Sequence, residues 1–235
     1  MAKLANCKIL ITGVNGQVGY EIIKALASSG AHLVLASRSP EKQTIFGYET
    51  VYLDLARPEE IKRVISEVQP HILINPAAYT AVDKAESAEN DAFAINKNAV
   101  EAMVESMEIL NGAIIHFSTD YVYNPKHSDP ALESDSQNPS NVYAASKLAG
   151  DMILCDSDIP FIILRTSWVY GLNGNNFVKT MLKLGAERSS LSIVNDQVGS
   201  PTSATTLANA VLTILQRGHE DPKSFIQLNR GIYNI

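Results

Sequence analysis

Short apolar runs alternate along the chain with longer amphipathic stretches. Cys7–Thr12, His32–Ala36, Thr50–Leu53, His71–Asn75, Ala113–Phe117 and Phe161–Thr166 each read as a strand. Between and after them, helices are predicted over Tyr20–Ser28, Pro58–Gln69 and Ala92–Leu110, from Asn141 onward, from Asn176 through Met181, and from about Ser203 to Gln216. The second of these has a clear signature: Pro58 in the first turn, Glu59 and Glu60 near the positive end, and Ile61, Val64, Ile65 and Val68 on one face. Leu191–Val194 is expected to add another strand. Strands alternating with helices, joined by right-handed crossovers, imply an α/β fold built on a doubly wound parallel sheet.

In such a sheet, ligands gather beyond the carboxyl ends of the strands. After the first strand comes Gly13-Val14-Asn15-Gly16-Gln17-Val18-Gly19, a GxxGxxG loop opening a helix. Its glycines allow a tight turn and close approach of a pyrophosphate, which then rests on the positive end of the helix. The second strand ends in Ser37-Arg38-Ser39, with a basic residue where an acidic one would accept from a ribose 2′-hydroxyl. That favours a 2′-phosphate and hence NADP. Asp54-Leu55 follows the third strand, where the aspartate can meet an adenine amino group, and the small residues Ala77-Ala78 follow the fourth, where a flat cofactor can lie against the backbone.

The fifth strand delivers Ser118 and Thr119 to the same edge, and the next helix carries Tyr143 and Lys147. A Tyr and a Lys four residues apart share a helix face. A nearby ammonium, helped by an oxidised nicotinamide, would lower a phenol from its free pKa of about 10 toward the range of general acid–base work. Thr119 supplies a hydroxyl to hold a carbonyl oxygen. Asn124–Ser140, rich in Pro, Asp, Ser and Asn, reads as a loop, and so does the polar turn Asp196–Thr202.

A chain of 235 residues with 46% apolar content can bury one large core, or one main domain with a small appendage. A net charge of −6 argues against nucleic acid or an anionic membrane as a general partner, so a phosphate-bearing ligand must be met locally. Cys7 and Cys155 sit far apart in apolar segments without metal-ligand spacing, which suggests two buried, reduced thiols and no metal site. No run approaches the roughly 20 apolar residues of a membrane span. Met1–Asn6 lacks the length of a signal peptide, and the expected location is the cytoplasm.

With these residues in place, the chain resembles the extended short-chain dehydrogenase/reductase superfamily and, within it, the dTDP-4-dehydrorhamnose reductase family. The likeness runs from about Lys8 to Ile235. Its more specific pieces are the glycine loop with Gln17, Ala77–Glu86, Ser118–Tyr123, Tyr143 with Lys147, Arg165–Gly171, Asn175-Asn176-Phe177, Asp196-Gln197 and Gly199–Thr202. The resemblance implies a Rossmann-type NADP-binding domain over 1–166, and a mixed region over 167–235 that contributes to a small, truncated C-terminal substrate subdomain and returns in part to the main sheet.

It also implies roles. Tyr143 would protonate O4 of a 4-keto sugar, with Lys147 as its pKa partner and ribose ligand and Thr119 orienting the carbonyl. Gly13, Gly16, Gln17, Val18 and Gly19 would hold the pyrophosphate, Ser37 and Arg38 the adenosine ribose, and Asp54 and Leu55 the adenine. Ala78, Tyr79 and Thr80 would flank the middle of the cofactor. Thr119, Asp120, Trp168 and Asn176 would face the nucleotide-sugar. The implied reaction is NADPH-dependent reduction of dTDP-4-dehydro-L-rhamnose to dTDP-L-rhamnose, with NADH as a second donor and a homodimer as one assembly. Pro76, Ala144 and Asp151 depart from the family's usual residues without removing a catalytic group. Two alternatives stand beside this reading: another nucleotide-sugar reductase, epimerase or dehydratase, and a non-catalytic NADP-binding regulatory subunit resembling the methionine adenosyltransferase beta subunit.

Overall fold

The computed structural model describes residues 4–123 and 129–235, so residues 124–128 of the expected Asn124–Ser140 loop lie outside the described residues. In chain order the elements are β1 (Lys8–Ile11), α1 (Gln17–Leu26), β2 (His32–Ser37), β3 (Thr44–Ile45), β4 (Tyr48–Tyr52), α2 (Pro58–Val68), β5 (Ile72–Asn75), α3 (Val82–Ala85) and α4 (Glu89–Phe93). A π-helical turn (Ala94–Asn98) leads into α5 (Ala99–Ile109), then β6 (Ala113–Thr119), a 3-10 turn (Asp120–Val122), α6 (Val142–Asp156) and β7 (Phe161–Thr166). Then come β8 (Val169–Tyr170), α7 (Phe177–Glu187), β9 (Thr202–Ser203), α8 (Ala204–Arg217), α9 (Pro222–Leu228) and β10 (Gly231–Asn234).

One eight-stranded sheet runs β10-β7-β6-β5-β1-β2-β4-β3, parallel throughout except for the β3–β4 hairpin. Because successive side chains of a strand face opposite sides, Ile9 and Ile11 of β1 and Ile72 and Ile74 of β5 join α1 and α8 in one core layer, with Ile22, Leu26, Leu207 and Val211. Leu10 and Leu73 point the other way, into the layer made with α2 and α5 by Ile61, Ile65, Met103 and Met107. Both sheet faces are therefore covered, as the uniformly apolar strands require, and the fold is the doubly wound Rossmann type.

Four features differ from the sequence reading. Leu191–Val194 forms no strand: Ile193 and Val194 are exposed, and they pair with no strand among the described residues. The pairing in this region is instead the two-residue ladder Val169↔Thr202 and Tyr170↔Ser203. The β3–β4 hairpin was not signalled, because its turn is Phe46-Gly47, with φ of 50° and 88°, rather than the Asn-Gly that marks such turns. Cys155 is exposed, since it follows Leu154, the last buried residue of α6, whereas Cys7 is buried as expected.

The fourth difference is the π turn inside the expected Ala92–Leu110 helix. A π turn is rare and recurs at functional sites. Here it brings the backbone of Asn96 against α6, so that a Cβ on Gly150 would stand 2.2 Å from the Asn96 carbonyl oxygen. Gly150→Ala should therefore lower stability by about 1–3 kcal/mol through overpacking, measured by urea unfolding; an unchanged midpoint would show that the two segments are not in this contact.

Candidate active site

The chain leaves β1 through Thr12 and turns at Gly13, whose φ of 59° suits glycine. A Cβ on Gly13 would meet the Ala77 backbone at 2.9 Å, and one on Gly19 would sit 2.3 Å from the Gly13 carbonyl oxygen. The loop is thus closed on itself and on the end of β5. Gly16 is the N-cap of α1 and offers no capping side chain, so the first-turn amides keep their donors free. They face a cleft of about 710 Å³, with Gly16, Gln17, Val18 and Gly19 in its wall. Free donors at the positive end of a helix suit a diphosphate.

Ser37 and Arg38 stand at one end of this cleft. Ser37 is buried, its hydroxyl accepting from Asn15 Nδ2 and Ser39 N at 3.0 Å each. Arg38 is exposed and makes no ion pair among the described residues, leaving a cation free for a phosphate. A smaller adjoining pocket of about 150 Å³ holds Asp54 and Leu55 together with Ala36 and Leu53. Ala78 and Thr80 line the main cleft. Tyr79 lines neither: its backbone N–H and C=O are both engaged by the Asn96 side chain.

Tyr143 and Lys147 stand in the same cleft wall. The Tyr143 phenol lies edge-on to Tyr121, with ring centroids 6.2 Å apart. Burial pushes its pKa up to about 12, the Thr119 hydroxyl beside it draws it down, and the carboxylate of Asp120 raises it further. The expected lowering by Lys147 is absent from this arrangement because the ammonium is turned to β6. Lys147 Nζ donates to the Phe117 carbonyl oxygen at 2.6 Å and lies 3.1 Å from His116 Nε2. Burial brings Lys147 down to about 8, against a restraining pull from Asp151. Burial first, then Lys147, keeps His116 neutral, and its other ring nitrogen is 3.1 Å from Asn75 Nδ2. Thr119 is buried and donates to Asp120 Oδ1 at 3.2 Å, while burial raises the Asp120 carboxyl above its ordinary value.

Four residues to which the sequence reading gave no role, Asn96, Arg165, Asp151 and Ser118, hold this group in place. Asn96, delivered by the π turn, accepts from Tyr79 N at 2.9 Å and donates to Tyr79 O at 3.1 Å and to Ser146 Oγ at 2.9 Å. It thereby ties the cofactor-side loop to the turn of α6 between Tyr143 and Lys147. Arg165 donates Nε and Nη2 to Asp151 Oδ2 at 3.1 and 3.0 Å, both side chains being buried. Ser118 Oγ donates to the same oxygen at 2.8 Å, leaving Oδ1 without a partner among the described residues. The usable signal was Arg165 and Asp151 in otherwise apolar elements, since a charge there calls for an opposite charge.

On the far side of the cleft, Trp168 has φ of 44°, a strained setting for an aromatic residue. Its indole lies over Gly199, where a Cβ would come within 2.5 Å of the ring, and the side chain is 44% exposed. Asn176 caps α7, accepting from Lys179 N at 3.0 Å. Neither residue lines the cleft.

A family model described as the RmlD substrate binding domain matches residues 7–234. The chain is 40% identical over 228 residues to the dTDP-4-dehydrorhamnose reductase of Shigella flexneri, covering 97% of this chain and 71% of that protein. It is 39% identical, over 97% of this chain and 72% of that protein, to the reductase of the same name from Burkholderia thailandensis. The crystal structure of dTDP-4-dehydrorhamnose reductase from Bacillus anthracis in complex with NADP superposes with a TM-score of 0.82 at 32% identity, over 97% of this chain and 73% of that one.

The chain belongs to the dTDP-4-dehydrorhamnose reductase family. It spans about seven-tenths of the length of the relatives it matches. For a family member, the cleft passes the test of fit to a phosphorylated dinucleotide on its own features: uncapped amides at α1, glycines whose Cβ atoms would collide, and in its wall Arg38, which makes no ion pair among the described residues.

The buried Lys147 also gives this reductase a pH signature. Below about pH 8 both folded and unfolded chains carry the proton, and the cost of the buried charge is present in full. Between about 8 and the unfolded value of about 10.4 the folded chain has released the proton and stability rises with pH. Wild type should gain on the order of 1–2 kcal/mol over Lys147→Met between pH 7.5 and 9.5 in urea unfolding; parallel pH profiles would contradict the buried, depressed lysine.

Proposed function

We propose that the chain is an NADPH-dependent reductase of the C4 carbonyl of a dTDP-4-dehydro-6-deoxy-L-sugar, producing dTDP-L-rhamnose, in the cytoplasm. The observation that carries this reading is the presence of Tyr143 and Lys147 in the same cleft wall as the glycine loop and the unpaired Arg38. Relatives 42% and 41% identical to this chain, from Escherichia coli and Salmonella typhimurium and each named dTDP-4-dehydrorhamnose reductase, support the substrate.

When bound, the reduced nicotinamide supplies a hydride to the carbonyl carbon. The amides of Gln17 and Val18 would hold the diphosphate against the backbone of Gly16, whose own amide donates to the Gly13 carbonyl oxygen at 2.9 Å, with Ser37 and Arg38 at the 2′-phosphate, Asp54 and Leu55 at the adenine, and Ala78 and Thr80 along the middle of the dinucleotide. As negative charge develops on O4, Thr119 Oγ1 donates a hydrogen bond to it and Tyr143 transfers its phenolic proton, so the C=O becomes CH–OH. A phenol pushed up to about 12 is fully protonated at neutral pH, which suits a proton donor. Lys147, whose ammonium is held by the Phe117 carbonyl and His116 in this arrangement, would have to turn from β6 to meet a ribose hydroxyl of the bound dinucleotide and stabilise the phenolate left behind. Trp168 and Asn176 belong to the 167–235 region that we assign to the sugar side, and Asp120 borders it.

The test follows absorbance of NADPH with freshly generated dTDP-4-dehydrorhamnose. Wild type should oxidise NADPH and form dTDP-rhamnose, and Tyr143→Phe should lose on the order of 10²–10⁴ in kcat. Binding of NADPH without turnover in wild type would favour the non-catalytic subunit. Arg38→Ala should weaken NADPH by about tenfold or more while leaving NADH nearly unchanged, because only the 2′-phosphate loses its charge-assisted bonds; equal loss for both donors would remove Arg38 from that role.

A further inference from the structure

Gln17 does two things at once. Its backbone opens α1 in the wall of the dinucleotide cleft, and its side chain leaves the cleft for the opposite wall. There Nε2 donates to the Val169 carbonyl oxygen at 3.3 Å, and Oε1 accepts from Asn176 Nδ2 at 2.9 Å. The same Asn176 amide donates to Gly171 O at 2.8 Å while its oxygen caps α7. Gly174, with φ of 70°, packs on the stem of Gln17, a Cβ there standing 3.0 Å from Gln17 Cγ. Lys179 Nζ ties the segment to itself through Leu172 O and Gly174 O, at 3.1 and 2.6 Å.

Beyond β8 this unit has little else to hold it. Helix α7 has no buried residue, and Phe177 and Leu182 are 62% and 70% exposed. Apolar packing therefore does not seat α7; its N-terminal end is fastened through Asn176 to Gln17. The fastened segment also contributes Gly174 and Asn175 to the cleft wall.

We infer that Gln17 is a positioning residue that couples filling of the dinucleotide cleft to seating of Val169–Asn176 and α7, so that dinucleotide and nucleotide-sugar bind with positive cooperativity through this one side chain. The inference rests on the reading of the cleft given under the proposed function. Its physics is simple: a ligand that fixes the Gln17 backbone removes freedom from the side chain, so the ordered segment costs less to hold, and by linkage the sugar then strengthens the dinucleotide by the same factor.

Hydrogen exchange of the full chain with and without NADPH, in wild type, Gln17→Met and Asn176→Asp, tests this. Asn176→Asp keeps an acceptor for the α7 cap but loses the donor that reaches Gln17, and an unchanged helical circular dichroism spectrum would certify that α7 is intact. In wild type NADPH should slow exchange at 13–19 and, by about tenfold, at 171–187, a usual size for coupling between two sites. Both variants should keep protection at 13–19 and lose it at 171–187, with KM for the sugar rising by about tenfold and kcat changing far less. Equal protection of 171–187 in wild type and both variants would overturn the coupling and leave the cleft reading standing. Absence of protection at 13–19 in wild type would overturn the cleft reading and this inference with it.

Discussion

Arg165 and Asp151 are buried against each other beneath α6, the helix that carries Tyr143 and Lys147, with Ser118 adding a third bond to the shared carboxylate oxygen. Removing either charge would leave the other uncompensated in the core, a change that typically costs about 3–5 kcal/mol. Since Ser118 is on β6, Arg165 on β7 and Asp151 on α6, this one cluster fixes the register of the helix over two strands. Arg165 extends the constraint through Tyr123 to Asn234, joining β10 to the same frame. Lys147 sits one turn before Asp151, so its ammonium is delivered to the Phe117 carbonyl and His116, and Tyr143 follows one turn earlier into the cleft.

The second support comes from the other side of α6. An uninterrupted helix over 89–109 would follow the regular i→i−4 ladder, but the π turn gives Asn96 the position from which it holds both Tyr79 and Ser146. Gly150 allows the approach. The Tyr79 loop and the helix bearing Tyr143, the proposed proton donor, thus share one amide, and a shift of either is felt by the other. Rigid placement of a donor is what makes a weak acid effective, because orientation is settled before the reacting oxygen arrives.

Much of this was legible in the residues. The strands were readable because both sheet faces are covered and the runs are apolar throughout; Phe161–Thr166 came out with its observed bounds. Gly13–Gly19, Arg38, Asp54, Tyr143 and Lys147 were readable because a strand end, a glycine loop and a helical i,i+4 pair have definite geometry, and they do gather at one edge. What escaped depends on tertiary partners. Nothing in the periodicity around Asn96 distinguishes a π turn from a continuous helix. Ile193 and Val194 have strand-like side chains but are exposed and unpaired among the described residues. Lys147 shares a face with Tyr143, yet a carbonyl and an imidazole on β6 outbid the phenol for its proton-donating head. Gln17 looked like a loop residue for a pyrophosphate, and its side chain works as a fastening between the two walls of the cleft.

The central claim is that this chain delivers hydrogen to C4 of the sugar and a proton to its oxygen. The most direct measurement uses NADPH deuterated at the transferable position of the nicotinamide, with the sugar product read by NMR. The account predicts dTDP-L-rhamnose with one deuterium, on C4 and on no other carbon. A product without deuterium, as internal recycling in an epimerase would give, or deuterium at another carbon, would contradict it.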